Sequence, residues 1–260
     1  MKLAVNGLRM FVKTFGDGLP VILVHGFPLD HTIWLPVVEL LENEARLILP
    51  DLRGHGQSDA PAGTYSMRLI AQDLAALQDA LAIRCAILVG HSMGGYASLA
   101  FAQEYPDRLA GLGMVASQAA ADSEERRNAR YQMAAEVAEK GVTPIAALMA
   151  ERLFARKDLV PEIERVILNT SPVGVVGALK GLAERPDMSG FLEEINVPTA
   201  VIAGSQDGLV PGARTQELVE KIPQAKLTLI QAVGHMPMLE APEETAGALL
   251  ELISTVKRQL

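Results

Sequence analysis

A single serine stands between a buried strand pattern and a helical one, with a glycine two residues away on each side. The apolar run Cys85-Ala86-Ile87-Leu88-Val89 leads straight into Gly90-His91-Ser92-Met93-Gly94, and a helical pattern continues from Tyr96 to Tyr105. A chain that passes from strand to helix within so few residues brings its own backbone too close for a Cβ at the flanking positions. Glycine, which has none, fits. The serine hydroxyl is then held out beyond the end of the strand at a helix N-terminus, where partial positive charge favours an oxyanion. This is the nucleophile-elbow arrangement.

The rest of the chain alternates in a way that suits such a turn. Lys2–Val5 and Arg9–Thr14 read as two short strands turned at Asn6-Gly7, a strong hairpin dipeptide. Buried strands follow at Pro20–His25, Ala45–Pro50 and Leu109–Ala116, separated by helical patterns at Trp34–Glu42 and from Ser66 or Thr64 to Leu81. Alternating buried strands and amphipathic helices predict a parallel sheet covered on both faces. The alternation then stops. Between Ser117 and Phe191 no strand is legible, and Pro and Gly punctuate helical stretches at Ser123–Lys140, Thr143–Phe154, Pro161–Asn169 and Pro172–Ala183. A structureless loop of that length is implausible, so the segment is expected to be a helical insertion. The sheet resumes at Pro198–Ala203 and Ala225–Ile230, with helices at Arg214–Ile222 and Pro242–Val256.

Composition narrows the function classes. The chain has 260 residues, of which 49% are hydrophobic, enough for one large α/β domain with an insertion. A formal net charge of −8 argues against nucleic acid or an anionic membrane as partner. The one cysteine, Cys85, lies in an apolar run, reads as a small core residue and has no partner for an internal disulfide, which suits a reducing, cytoplasmic setting. Met1–Gly18 shows no apolar leader, and no apolar stretch reaches membrane-spanning length without a charge or breaker. No His, Cys or carboxylate cluster has metal-ligand spacing, so neither metal nor cofactor is expected.

A serine hydroxyl needs a base, and the base needs an orienting acid. Chemistry on open α/β sheets gathers at the carboxyl ends of the strands. Downstream of Ser92, Asp207 follows the strand pattern ending at Gly204, and His235 follows Ile230 by a short loop. Nucleophile, acid and base then occur in the order Ser92, Asp207, His235. Asp122 is the alternative acid, a few residues beyond the strand ending near Ala116. His25 and His55 read as turn-fixing hydrogen bonders, His91 as pointing away from the nucleophile, and His31 as a loop residue with a possible place at the pocket. Two backbone N–H groups are expected to receive the oxyanion: that of Met93, next to the nucleophile, and that of Phe27, in the loop His25-Gly26-Phe27-Pro28. Pro28 has no N–H to offer.

These pieces, with Asp51-Leu52-Arg53-Gly54-His55-Gly56-Gln57-Ser58, Gly204-Ser205-Gln206-Asp207 and Gly234-His235-Met236-Pro237, together resemble the α/β-hydrolase fold family in its serine carboxylesterase and enol-lactonase-like branch. The resemblance implies an α/β fold: a mostly parallel eight-stranded sheet flanked by helices, with a helical cap inserted after the sixth strand. The core is then residues 1–116 and 192–260, and the cap 117–191. It implies hydrolysis of a small or medium carboxylic ester or lactone through an acyl-enzyme on Ser92. A serine at the elbow speaks against the haloalkane dehalogenases and epoxide hydrolases, which use aspartate. Two alternatives stay open: hydrolysis of a carbon–carbon bond beside a ketone, for which the same three residues would serve, and a ligand-sensing protein on the same scaffold. The insertion is expected to roof Ser92 with apolar residues from Met133, Ile145, Leu148, Met149, Leu153, Phe154, Val166, Val173, Val176 and Leu179, helped from the core side by Met93, Met236 and Met238. The oligomeric state is not legible.

Overall fold

The hairpin read at Asn6-Gly7 joins β1 (Lys2–Val5) to β2 (Leu8–Phe15) in antiparallel register. The computed structural model describes residues 1–259. β2 also runs antiparallel to β4 (Arg46–Pro50), and from there the sheet is parallel throughout. β3 (Pro20–Val24), β5 (Ala86–His91), β6 (Leu109–Val115), β7 (Thr199–Gly204) and β8 (Ala225–Ile230) complete the eight-stranded order β1-β2-β4-β3-β5-β6-β7-β8. The expected mostly parallel sheet is therefore present.

Period-2 alternation divides each central strand between two cores. From β3 and β5, Ile22, Val24 and Leu88 pack with α2 (Met67–Ala80) and α3 (Met93–Glu104) on one face. Val21, Leu23, Ile87 and Val89 point to the other face, against α1 (Leu35–Leu41) and α10 (Pro242–Lys257). α8 (Gly212–Lys221) connects β7 to β8, and a short α9 (Pro237–Glu240) precedes α10. α9 and the 3₁₀ turn His31–Trp34 were not legible, since neither is long enough to show a period. Cys85 departs from its expected place: it sits just before β5 and is only partly buried.

Between β6 and β7 the chain forms α4 (Glu124–Lys140), α5 (Thr143–Leu153), α6 (Val160–Leu168) and α7 (Pro172–Ala183). Ser123 caps α4 by accepting from the Arg126 N–H, and Gly141 ends it at φ 76°. Long-range bonds tie the insertion to the sheet side. The Tyr65 N–H donates to the Gly177 carbonyl at 2.9 Å, and Thr170 Oγ1 donates to the Pro28 carbonyl at 2.9 Å. No single helix among the described residues is long and apolar enough to cross a membrane.

The loop Asp51–Ser58 is held by buried polar contacts. Asp51 Oδ1 accepts from the His31 N–H at 2.9 Å and meets His31 Nδ1 at 2.7 Å, while Oδ2 accepts from the Gln57 N–H at 2.8 Å. His25 Nε2 accepts from the Leu52 N–H at 2.9 Å and His55 Nδ1 donates to the Arg53 carbonyl at 2.9 Å, the turn-fixing roles expected of them. Arg53 donates through Nε and Nη2 to Asp73, at 2.5 and 2.6 Å, with both side chains buried. Removing one partner of such a pair strands the other charge out of water. Asp73→Ala is therefore expected to cost about 3–5 kcal/mol of unfolding free energy, read from urea denaturation. A midpoint matching the parent would refute this role for the pair.

Candidate active site

β5 ends at His91 and α3 begins at Met93, so Ser92 alone makes the turn, at φ 50° and ψ −111°. Few non-glycine residues occupy positive φ, and they persist where the surroundings over-determine them. The surroundings here do so. A Cβ on Gly90 would run into the Gly94 carbonyl, and one on Gly94 into the carbonyls of Val24 and His25. The Ser92 N–H donates to the Val115 carbonyl at 2.9 Å, and Ser117 Oγ donates to the Ser92 carbonyl at 2.8 Å. The turn is thus stitched to the end of β6.

Asp207 lies in the turn after β7. Its Oδ1 accepts from the N–H groups of Leu209 and Val210, at 2.8 and 3.0 Å, which aims Oδ2 at His235 Nδ1, 2.8 Å away. Both side chains are almost wholly buried. Burial opposes ionisation of Asp207, but the hydrogen bond and charge of His235 and the two amides outweigh it, and the carboxyl is held below its usual range. With Nδ1 committed to a carboxylate, the free ring nitrogen of His235 is Nε2.

The backbone of His235 is fixed as well. Its N–H donates to the Leu153 carbonyl at 2.8 Å, and its carbonyl meets His91 Nε2 at 2.9 Å. A carbonyl only accepts, so His91 carries its proton on Nε2. His91 is fully buried, and burial together with the neighbouring His235 pushes its pKa down to about 3, which keeps it neutral. Glu240 binds the loop before His235 to the insertion: Oε1 accepts from the Gly234 N–H and Oε2 from those of Ala155 and Arg156. Sequence reasoning missed Glu240, and a carboxylate in an apolar terminal segment was the available signal.

Ser92 and His235 face one cavity of about 370 Å³, which Phe27 and Met93 also line. Among the described residues no hydrogen bond closes between Ser92 and His235, and the N–H groups of Phe27 and Met93 have no acceptor. Such contacts are often long without substrate and tighten on binding. Of the expected roof residues, Met133, Met149, Leu153 and Leu179 line the cavity. Leu148 and Val173 are instead exposed at 55% and 45%, and Met236 and Met238 are buried in the core behind the site. The spacing of isolated apolar residues does not tell a cavity wall from a core contact. Tyr96, Leu209 and Val210 line the cavity unforeseen, as do three arginines, Arg126, Arg130 and Arg152. Arg126, Arg130 and Met133 fall at i, i+4 and i+7 on α4, a spacing that marks one helix face.

Asp122 is not near His235 in any contact. It is the buried counter-ion of Arg130 and Arg185. His31 is buried against Asp51 and does not line the cavity. One grouping departs from the expectation of no metal-like cluster: Asp30, His31 and Asp51 bring potential ligand atoms within 4.8 Å of one another. Those atoms already hydrogen-bond one another and nearby amides, including Asp30 Oδ1 with the Thr32 N–H at 2.9 Å.

The α/β hydrolase fold model matches residues 20–242. The chain belongs to the α/β-hydrolase fold family. This α/β-hydrolase is 31% identical over 250 residues to 3-oxoadipate enol-lactonase 2 of Acinetobacter baylyi, covering 93% of this chain and 91% of that protein. Among solved structures it is similar to a malate-bound thermophilic esterase from Thermogutta terrifontis, with a TM-score of 0.94 and 37% identity over 98% of each chain. It is also similar to the enol-lactonase from Burkholderia xenovorans LB400, with a TM-score of 0.91 and 25% identity over 98% of this chain and 100% of that one.

The buried titratable groups set the acid behaviour of the fold. His55 and His91 have folded pKa values lowered to about 3 from 6.5, so between those values the unfolded chain binds more protons. Stability is therefore full above about pH 6.5 and falls on acidification toward 3. Asp51, Asp122 and Asp207, held below the 3.8 usual for an aspartate, add a further loss as pH drops toward and below that value. Urea midpoints measured from pH 3 to 8 are expected to be flat near neutrality and to decline with increasing steepness on the acid side. A midpoint that rises between pH 6 and 4 would contradict this assignment.

Proposed function

We propose that this α/β-hydrolase is a serine esterase or lactonase acting on small or medium carboxylic substrates. The observation that carries the reading is Ser92, alone on a positive-φ turn at a helix N-terminus, facing the same cavity as a histidine held by Asp207. Ser92 Oγ attacks the substrate carbonyl and gives its proton to His235 Nε2. The tetrahedral oxyanion is received by the N–H groups of Phe27 and Met93, each worth about 3–4 kcal/mol of transition-state stabilisation in comparable sites. Collapse of the intermediate expels the alcohol, which takes the proton from His235, and leaves an acyl group on Ser92. Water then attacks that acyl group, giving its proton to His235, and the acid departs as Ser92 is reprotonated. Asp207 keeps His235 in the tautomer that leaves Nε2 free and stabilises the imidazolium between steps.

The helical segment 117–191 acts in this reading as a cap. The cavity lies at the small end of ligand-pocket sizes, which supports short and medium acyl groups over long-chain lipids. Met149 and Leu153 come from α5 and Met133 from α4, so acyl-length preference is set by the cap.

Ser92→Ala is expected to lower p-nitrophenyl ester hydrolysis by at least about a thousandfold without loss of fold. Full activity in that variant would end the assignment. Asp207→Asn is expected to cost far more activity per folded molecule than Asp122→Asn, because asparagine presents His235 in the wrong tautomer. The reverse ranking would move the acid to Asp122. Met149→Ala is expected to shift preference toward longer p-nitrophenyl acyl chains, and an unmoved profile would remove the cap from the specificity determinant.

A further inference from the structure

The wall of the Ser92 cavity changes character along its length. Leu153, Leu179 and Leu182 are almost fully buried, whereas Arg126 is 43% exposed, Arg130 21% exposed, and Arg152 lies among the exposed residues. The arginines therefore stand at the open end. Two come from one face of α4 and the third from α5.

Their charge is not cancelled. Asp122, a buried carboxylate, meets Arg185 at 2.8 Å, Arg130 through a short contact, and Arg126 at 4.0 Å. One negative charge cannot neutralise three guanidiniums, and Arg185 also keeps a buried Nε with no partner. Arg126 spends one further donor on the Leu209 carbonyl, at 3.1 Å. Arg152 has neither an ion pair nor a hydrogen bond among the described residues. Glu125 is the one acidic residue lining the same cavity, and Asp207 stands behind His235. The lining keeps a positive surplus after both are counted, on a chain whose net charge is −8. A cleft opposite in sign to the rest of the surface focuses the field on what enters it.

We propose that Arg126, Arg130 and Arg152 bind the free carboxylate of an ester substrate that carries one, such as a half-ester of a dicarboxylic acid. The inference rests on the ester-hydrolase reading of Ser92 and adds its substrate class. The apolar stretch between leucines and arginines takes the methylene chain, and the planar guanidinium fork of Arg152 is free to meet a carboxylate through two N–H donors. The ester carbonyl is thereby placed at the buried end, near Ser92.

The test compares monoethyl glutarate with ethyl pentanoate, which share chain length and differ in the terminal carboxylate. The parent protein is expected to show a kcat/KM roughly tenfold or more higher for the half-ester at low salt, with the advantage shrinking as ionic strength rises. Arg152→Gln should lower the ratio of the two kcat/KM values about tenfold, chiefly through KM, and Arg152→Glu should lower it further. Arg152 is exposed and outside the Asp122 network, so these changes do not depend on refolding the cap. A parent ratio at or below one, or a ratio that neither variant moves, overturns the proposal. Calorimetric binding of monoethyl glutarate to Ser92→Ala, with and without Arg152→Gln, separates the two readings. Arg152-dependent binding with no turnover in the parent would sink the hydrolase assignment and keep the carboxylate site. Turnover of the neutral ester with no Arg152-dependent binding would do the opposite.

Discussion

The chain crosses from β5 to α3 through one residue, and the position of nearly everything in the candidate site follows from how that residue is held. Ser92 sits at positive φ because Gly90 and Gly94 let the backbones of β3, β5 and α3 meet where no Cβ would fit. Its N–H and carbonyl are fastened to the end of β6 through Val115 and Ser117. The residue before it, His91, reaches across to the carbonyl of His235. The same few residues therefore fix the half-buried serine, the free amides at the mouth of α3 and the backbone of the histidine loop. A perturbation at any of them moves the others, since packed backbone contacts of this kind do not deform gradually.

A second constraint joins the helical insertion to this frame. Asp122 follows β6, and its buried carboxylate gathers Arg130 from α4 and Arg185 from beyond α7. Arg185 lies over the ring of Tyr96, with its guanidinium carbon 4.4 Å from the ring centre, and Tyr96 belongs to α3. Glu240 does the corresponding work on the other side, holding Ala155, Arg156 and Gly234 on one side chain. The helical insertion is thus attached by buried polar contacts at two corners and by apolar packing between them. Such contacts are costly to break singly, because each leaves a desolvated charge behind.

The sheet was legible because its strands are buried on both faces and bounded by turn residues, so that short apolar runs such as Val21–Val24 and Ile87–Val89 stand out from the helices between them. That Asp207 meets His235, and that Ser92 and His235 share a cavity, was legible because each of the three residues follows a strand end. What escaped notice has a common cause. Arg126 and Arg130 sit on a strongly polar helix that reads as a solvated face, and only the packing of α4 over the cavity turns that face inward. Asp122 resembled an acid for His235 because distance along the chain cannot reveal that two arginines from elsewhere occupy it. Met236 and Met238 follow the histidine closely, yet the turn into α9 carries them into the core.

The central claim is that Ser92 is the nucleophile that takes the acyl group. Its most direct test is labelling with a p-nitrophenyl alkylphosphonate, read by intact mass and peptide mapping. One adduct per chain, located on Ser92, absent from Ser92→Ala and accompanied by loss of esterase activity in proportion to labelling, is the expected result. An adduct on another residue, or ester turnover that persists after Ser92 is fully modified, would contradict it.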